Sequence, residues 1–265
     1  MPASSTAKRG QRSSAGLARD TGPPCEVEFL KTDRPDILLY TAPTMNGWKP
    51  LIFLHEADLP YELVPVDFSK KEQKAPDYLT LNPNGRIPTI VDRGNNDFAV
   101  FESGAILLYL AEKYDRFLSH DPKERSETIQ WLMFQMGGIG PMMGQAMFFQ
   151  RIARPNGHDD PYAIKRYVDE SLRLLEVLDS RLNGRDWLVG DAMSIADIAT
   201  YPWARSYFWA GVDVSGLDNL NAWFARIDAR PATQAALQLP KPRPSVFGAG
   251  DTEAAAAANA ANYKE

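Results

Sequence analysis

A chain of 265 residues, 44% of them apolar, is long enough for one large domain or two smaller ones. Its net charge of −5 and pI near 5.4 supply no basic stripe to neutralise phosphates, which argues against a nucleic-acid partner. No apolar run approaches the roughly 18 residues a membrane span needs, and one cysteine, Cys25, excludes an intrachain disulfide framework and points to a reducing, cytoplasmic setting.

Residues 1–35 stand apart. Met1 to Pro24 is rich in Ser, Ala, Gly, Arg and Pro, and its first acidic residue is Asp20. Such a segment buries too little apolar surface to offset its ordering entropy, so a disordered or loosely docked arm is expected. An Arg- and Ser-rich mitochondrial transit peptide is the sharper reading, but the segment has no clear amphipathic apolar face. The apolar run Ile37 to Tyr40 then predicts a buried strand. Turn chemistry follows, with Pro43 and Gly47, and Leu51 to Ala57 predicts a helix. A helix beginning at a strand's carboxyl end exposes N–H groups that favour an anion, here beside the small polar side chains of Thr44 and Asn46.

Tyr61 to Val66 predicts a second strand, parallel to the first through a helical crossover. Ala75 to Leu81 has room for a short helix, ended by Asn82-Pro83-Asn84-Gly85. Thr89 to Asp92 and Phe98 to Phe101 flank Arg93-Gly94-Asn95-Asn96-Asp97, a hairpin signature. Ser103 to Tyr114 predicts a helix packed on the sheet, which completes a small α/β domain over residues 36–115. Residues 124–240 read as all-helical. Glu124 to Arg151 is long, but Pro141 after Gly137-Gly138-Ile139-Gly140 predicts a kink or break. Tyr162 to Leu182 carries Ile164, Val168, Leu172, Leu175, Leu178 and Leu182 on one face, and Asn183-Gly184 stops it. Ser194 followed by Asp197 predicts a capping box, with Met193 placed to staple onto Ile198. Asn219 to Ala229 and a piece after Pro231 complete the domain, and residues 241–265 read as an Ala-rich tail.

Four stretches carry candidate chemistry. Thr44 to Gly47 is the first. In Asn84-Gly85-Arg86-Ile87-Pro88 a proline enters a strand after a Gly turn, which favours a cis bond. Such a bond would turn Ile87's N–H and C=O outward to an extended ligand, and a tight turn without a ligand is the alternative. Glu102-Ser103 opens a helix. Ser103 reads as its N-cap, while the helix end and the flanking carboxylate also suit an amino-acid head group. Glu72-Gln73-Lys74 is a charged loop. His55, His120 and His158 fall at no metal-ligand spacing, and no metal is expected.

Tyr-Thr-Ala-Pro-Thr-x-Asn-Gly from Tyr40, Asn-Pro-Asn-Gly-Arg-Ile-Pro from Asn82 and Phe-Glu-Ser-Gly-Ala-Ile-Leu-Leu-Tyr from Phe101 occur in order and close together. Over about Ile37 to Pro240 the chain resembles the glutathione transferases. It is most similar to the Nu class and to its fungal relatives that resemble a nitrogen-regulating prion protein. The resemblance implies a thioredoxin-like N-terminal domain, an all-α C-terminal domain and a homodimer. It also implies glutathione as cosubstrate. Glu102 and Ser103 would hold the γ-glutamyl end, Ile87 before cis Pro88 the cysteinyl backbone, and Arg86 and Gln73 the remaining carboxylate. Thr44 and Asn46 would face the sulfur, with Gly47 and Trp48 completing the helix start. Met45 departs from the pattern, since many relatives carry proline there.

Free thiols ionise near 8.5, and helix N–H groups with one or two donors lower that value. Neither Thr nor Asn is a base at neutral pH, so both would stabilise a thiolate without taking its proton. No cysteine stands at these motifs, so thiol–disulfide chemistry would run through glutathione alone. The Nu class implies disulfide reduction, sometimes with two glutathiones, or glutathione removal from aromatic thioethers, and a peroxidase activity would use the same nucleophile. A small apolar or aromatic electrophile, thioether or disulfide would lie against an adaptable wall drawn from Gln135, Met136, Met143, Phe149, Arg151 and Tyr207. Core packing is the alternative for several residues of this Met- and Phe-rich stretch. The competing function class is a non-catalytic glutathione-binding regulator, although the arm, with one Gln, is not prion-like.

Overall fold

The computed structural model describes residues 34–241. The arm and its transit-peptide reading, Cys25 and the Ala-rich tail beyond residue 241 lie outside the described residues.

The first half comprises β1 (Ile37–Thr41), α1 (Met45–Glu56), β2 (Tyr61–Pro65), α2 (Pro76–Leu81), β3 (Thr89–Asp92), β4 (Phe98–Phe101) and α3 (Ser103–Tyr114). The sheet order is β2-β1-β3-β4, with β1 and β2 parallel and the other pairs antiparallel. Leu39 lies opposite Leu63 on one side and Ile90 on the other, and Ile37, Leu39 and Ile90 are fully buried. The hairpin turn is where its residues place it, with Asn96 and Asp97 at φ 54° and 55°. Such left-handed backbone suits Asn and Asp.

Most boundaries fall within two residues of expectation, and the start of the first helix does not. The helix expected from Leu51 begins six residues earlier, at Met45, and contains both Gly47 and Pro50. Tertiary packing overrides their weak helix propensity. A Cβ at Gly47 would stand 2.0 Å from the Ala42 carbonyl oxygen, so glycine alone lets the helix start this close to β1.

The second half is helical: α4 (Pro122–Phe134), α5 (Gly140–Phe148), α6 (Pro161–Leu182), α7 (Ile195–Ala204), α8 (Asp218–Asp228) and α9 (Pro231–Leu237). Of the kink or break expected around Pro141, the chain shows an interruption of α-helical register and not a break. A π-helical turn, Gln135–Ile139, joins α4 to α5, with the Gly140 N–H bonded to the Gln135 carbonyl five residues back. The widened turn absorbs the proline by changing the hydrogen-bond register, so the chain stays helical. A second π turn, Phe149–Ala153, follows α5. The capping box of α7 is present. The Asp197 carboxylate, fully buried, accepts from Leu188 N (3.0 Å), Ser194 N (2.9 Å), Ser194 Oγ (2.8 Å) and Trp223 Nε1 (3.0 Å).

Helix α1 links the halves by packing on α3, α7 and α9. At its end the Glu56 carboxylate, 3% exposed, accepts from Arg230 Nη2 (2.6 Å) and from Thr233 N (3.1 Å) and Oγ1 (2.7 Å). Burial pushes the Glu56 carboxyl up, but the Arg230 and Thr233 hydrogen bonds and the Arg230 charge outweigh it and hold the group below its usual value. This contribution to stability is present above the unfolded carboxyl's pKa and fades as pH falls through the lower folded value. Arg230→Met strands a buried carboxylate and is expected to cost about 2–4 kcal/mol at neutral pH, read from urea unfolding, with a smaller cost under acid conditions.

Candidate active site at the amino ends of α1 and α3

Thr44 caps α1 from extended backbone (φ −134°, ψ 163°), and its Oγ1 accepts the Gly47 N–H at 3.0 Å. Because the oxygen only accepts in that contact, the hydroxyl proton remains available to a ligand. The Met45 and Asn46 N–H groups precede the first intrahelical acceptor and carry the positive end of the helix dipole. Trp48 plays a structural part. Its N–H bonds to the Thr44 carbonyl (2.9 Å), and its indole, 2% exposed, donates to the Leu239 carbonyl (3.2 Å).

Asn46 Oδ1 accepts from Trp203 Nε1 at 2.8 Å and, at a long 3.5 Å, from Ser103 Oγ. An amide whose oxygen is occupied presents its NH2 group as a donor. Trp203, on α7, therefore orients Asn46 across 157 residues of sequence. Nothing local to either residue signals that pairing.

Ser103 is the first residue of α3, and Glu102, expected to flank the cap, occupies the cap position itself. Its backbone has φ 69° and ψ 117°, a sparsely populated conformation of the kind that collects at ligand sites. The Glu102 side chain is exposed and accepts from Asn84 Nδ2 at 3.3 Å. The Ser103 hydroxyl is buried and accepts from Lys49 Nζ at 3.1 Å.

Lys49 was not foreseen. It is fully buried beneath both helix ends, and its ammonium donates to Ser103 Oγ (3.1 Å), Gln135 Oε1 (2.6 Å) and Met136 Sδ (3.3 Å). All three acceptors are neutral. Burial pushes the Lys49 pKa down to about 7, against the weaker pull of the Glu102 charge. The sequence signal was a lone lysine between Trp48 and the apolar run Leu51 to Leu54.

The loop before β3 is pinned from below. Tyr78 Oη and Asn82 Nδ2 donate to the Arg86 carbonyl (2.6 and 2.7 Å), and Asn82 also reaches Thr89 Oγ1 (3.1 Å). The Ile87–Pro88 bond is cis. Arg86 is exposed, and Gln73 carries a buried Oε1 without a partner among the described residues.

Of the six residues expected to line a second-substrate wall, Gln135 and Met136 lie against Lys49 and Ser103. The other four are held within the helical half. Met143 is fully buried, Phe149 stacks on Tyr167 of α6, Arg151 donates to the carbonyls of Phe208 and Trp209, and Tyr207 stacks on Phe224 of α8. Each has a neighbour within the helical half, and Phe149, Arg151 and Tyr207 remain half-buried.

A mixed four-stranded sheet in this order, a cis-proline loop entering β3 and a helical second half define a thioredoxin-like domain joined to an all-α domain. Family models for the glutathione S-transferase N-terminal and C-terminal domains match residues 35–112 and 142–231. The chain belongs to the glutathione S-transferase family. It is 47% identical over 203 residues to the disulfide-bond oxidoreductase YfcG of Escherichia coli, covering 75% of this chain and 93% of that protein. Among solved structures it resembles a Burkholderia graminis glutathione transferase with two glutathione molecules bound per subunit (44% identity, TM-score 0.73, 78% of this chain and 89% of that one). A Pseudomonas putida glutathione transferase with one glutathione disulfide bound per subunit is similar (42% identity, TM-score 0.73, 79% and 94%).

Proposed function

We propose that this protein is a Nu-class glutathione transferase that uses a glutathione thiolate, held at the amino end of α1, to reduce disulfides. One observation carries the reading: Thr44 and Asn46 each have their oxygen occupied within the protein, at 3.0 and 2.8 Å, and keep a donor for an anion. Neither side chain is a base at neutral pH, so they stabilise the thiolate electrostatically. Ser103 and the α3 amino end hold the γ-glutamyl carboxylate, and Glu102 holds its ammonium. Ile87 pairs with the cysteinyl backbone, and Arg86 and Gln73 serve the glycyl carboxylate.

The thiolate attacks one sulfur of a substrate disulfide. A new sulfur–sulfur bond forms as the old one breaks, and the departing thiolate takes a proton from solvent. A second glutathione thiolate then attacks the mixed disulfide, releasing glutathione disulfide and the second substrate thiol. The two-glutathione and glutathione-disulfide complexes of the bacterial relatives support room for this second molecule. Attack on the carbon of an aromatic thioether is the variant reaction of the same nucleophile. Exposed Phe98 and Phe101 on the β4 edge (50% and 36%) support a homodimer, and the cytoplasm is the proposed compartment. Among the described residues no helix is long and apolar enough to cross a membrane.

The test is turnover of the mixed disulfide of glutathione and 2-mercaptoethanol, coupled to glutathione reductase. Saturable turnover that is lost in the Thr44→Ala, Asn46→Ala double variant is expected. Tight glutathione binding with no turnover of disulfides, thioethers or peroxides would assign the chain to the regulatory class instead.

A further inference from the structure

We propose that Lys49 is a buried positioning residue whose amino group backs Ser103 and takes up a proton, becoming an ammonium, when an anionic carboxylate docks at the start of α3. The inference rests on the glutathione reading of the site, because it needs a carboxylate at Ser103.

The geometry supplies the reason. A lysine ammonium has three protons, and here all three meet acceptors: Ser103 Oγ, Gln135 Oε1 and Met136 Sδ. None of these is an anion, so the buried charge lacks a counter-ion. Donation to Ser103 Oγ has a second effect. It fills one lone pair of the hydroxyl oxygen, whose own proton makes only long contacts to Asn46 Oδ1 (3.5 Å) and Met136 Sδ (3.7 Å) and turns to a stronger acceptor when one docks. A carboxylate accepting that proton and the first N–H groups of α3 then sits one oxygen atom away from the ammonium and supplies the missing charge. Gln135 and Met136 come from the π turn between α4 and α5, so Lys49 ties the helical half to the glutathione end of the cleft. A Cβ added at Gly104 would stand 2.9 Å from Met136 Cγ, which shows how closely α3 and that turn approach.

The surroundings of Lys49 leave few other titrating groups. From α3 the facing charge is Glu102, the one charged group acting on it. From the π turn the facing groups, Gln135 and Met136, are neutral. From α7 the nearby polar group is the Trp203 indole, engaged with Asn46. Further along α1, Glu56 is paired with Arg230, and His55 with Tyr61 at 2.8 Å. Burial holds the empty-site lysine near pH 7, so it is largely neutral slightly above that. A bound anion raises its pKa, and a group whose pKa rises on binding takes up a proton between the two values. By linkage, affinity falls as pH rises through that window.

S-Methylglutathione is the probe, because it has both carboxylates and no thiol to release a proton. Calorimetric titration at pH 7.5–8 in two buffers of different ionisation enthalpy counts the protons. Wild-type protein is expected to take up about 0.5–1 proton per site, with affinity falling up to tenfold per pH unit above about 7.5. Lys49→Met, nearly equal in length, is expected to bind about tenfold or more weakly with no uptake. Lys49→Arg, always charged, should keep more of the affinity and also show no uptake, a separation that a merely structural lysine would not produce. Wild-type binding without proton uptake, or uptake that persists in either variant, overturns the Lys49 inference and leaves the glutathione reading intact. Failure of S-methylglutathione to bind wild-type protein overturns both.

Discussion

Replacing Thr44 and Asn46 together with alanine is expected to raise the pKa of glutathione's thiol in the site by about two units and to lower disulfide turnover at pH 7 about 10–100-fold. The magnitude follows from what is removed: two neutral donors at the positive end of α1, each held in position by an internal partner. Since neither residue accepts a proton, the loss should shrink as pH rises, and the pH–rate profile should move toward alkaline values. Thr44→Ala has a separate cost, because it also removes the helix cap and about 1 kcal/mol of stability. Thr44→Ser keeps both cap and donor and should restore activity. Activity of the double variant that stays near wild type across the pH range would remove Thr44 and Asn46 from the chemistry.

Asp197→Ala is expected to be the most damaging single change to stability, at about 3–5 kcal/mol, read as a lower urea midpoint. Its carboxylate satisfies Leu188 N, Ser194 N, Ser194 Oγ and Trp223 Nε1 inside a fully buried pocket. Alanine leaves four donors without an acceptor and opens a void against Trp223. Molecules of the variant that do fold should bind glutathione with near wild-type affinity, because Asp197 touches none of the site's side chains among its hydrogen-bond partners. A midpoint shift under 1 kcal/mol would mean that the pocket relaxes or admits water.

Features written in short-range patterns were legible in the sequence. The hairpin around Arg93 to Asp97, the start of α7 at Ser194 and the cis bond at Pro88 each follow from a few adjacent residues. The beginning of α1 was not legible, because Gly47 and Pro50 argue against a helix until the contact between Gly47 and Ala42 is known. The same holds for the π turn. Pro141 signals a kink or break locally, while the change of hydrogen-bond register at Gln135–Ile139 keeps the chain helical.

Within the site, Thr44, Asn46 and Ser103 announce themselves by motif. Lys49 and Trp203 do not, since their partners lie 54 to 157 residues away in sequence. Met143, Phe149, Arg151 and Tyr207 are ambiguous in the sequence for a related reason. Large flexible or aromatic side chains suit a ligand wall and a helical core equally well, and only their neighbours decide between the two.

Ultraviolet titration of glutathione bound to the wild-type protein reads the sulfur directly, through the absorbance of its thiolate. A midpoint about two units below the free thiol value of about 8.5, abolished by the Thr44→Ala, Asn46→Ala pair, is the expected result. A bound thiol that titrates at or above its free value would contradict anion stabilisation by the start of α1.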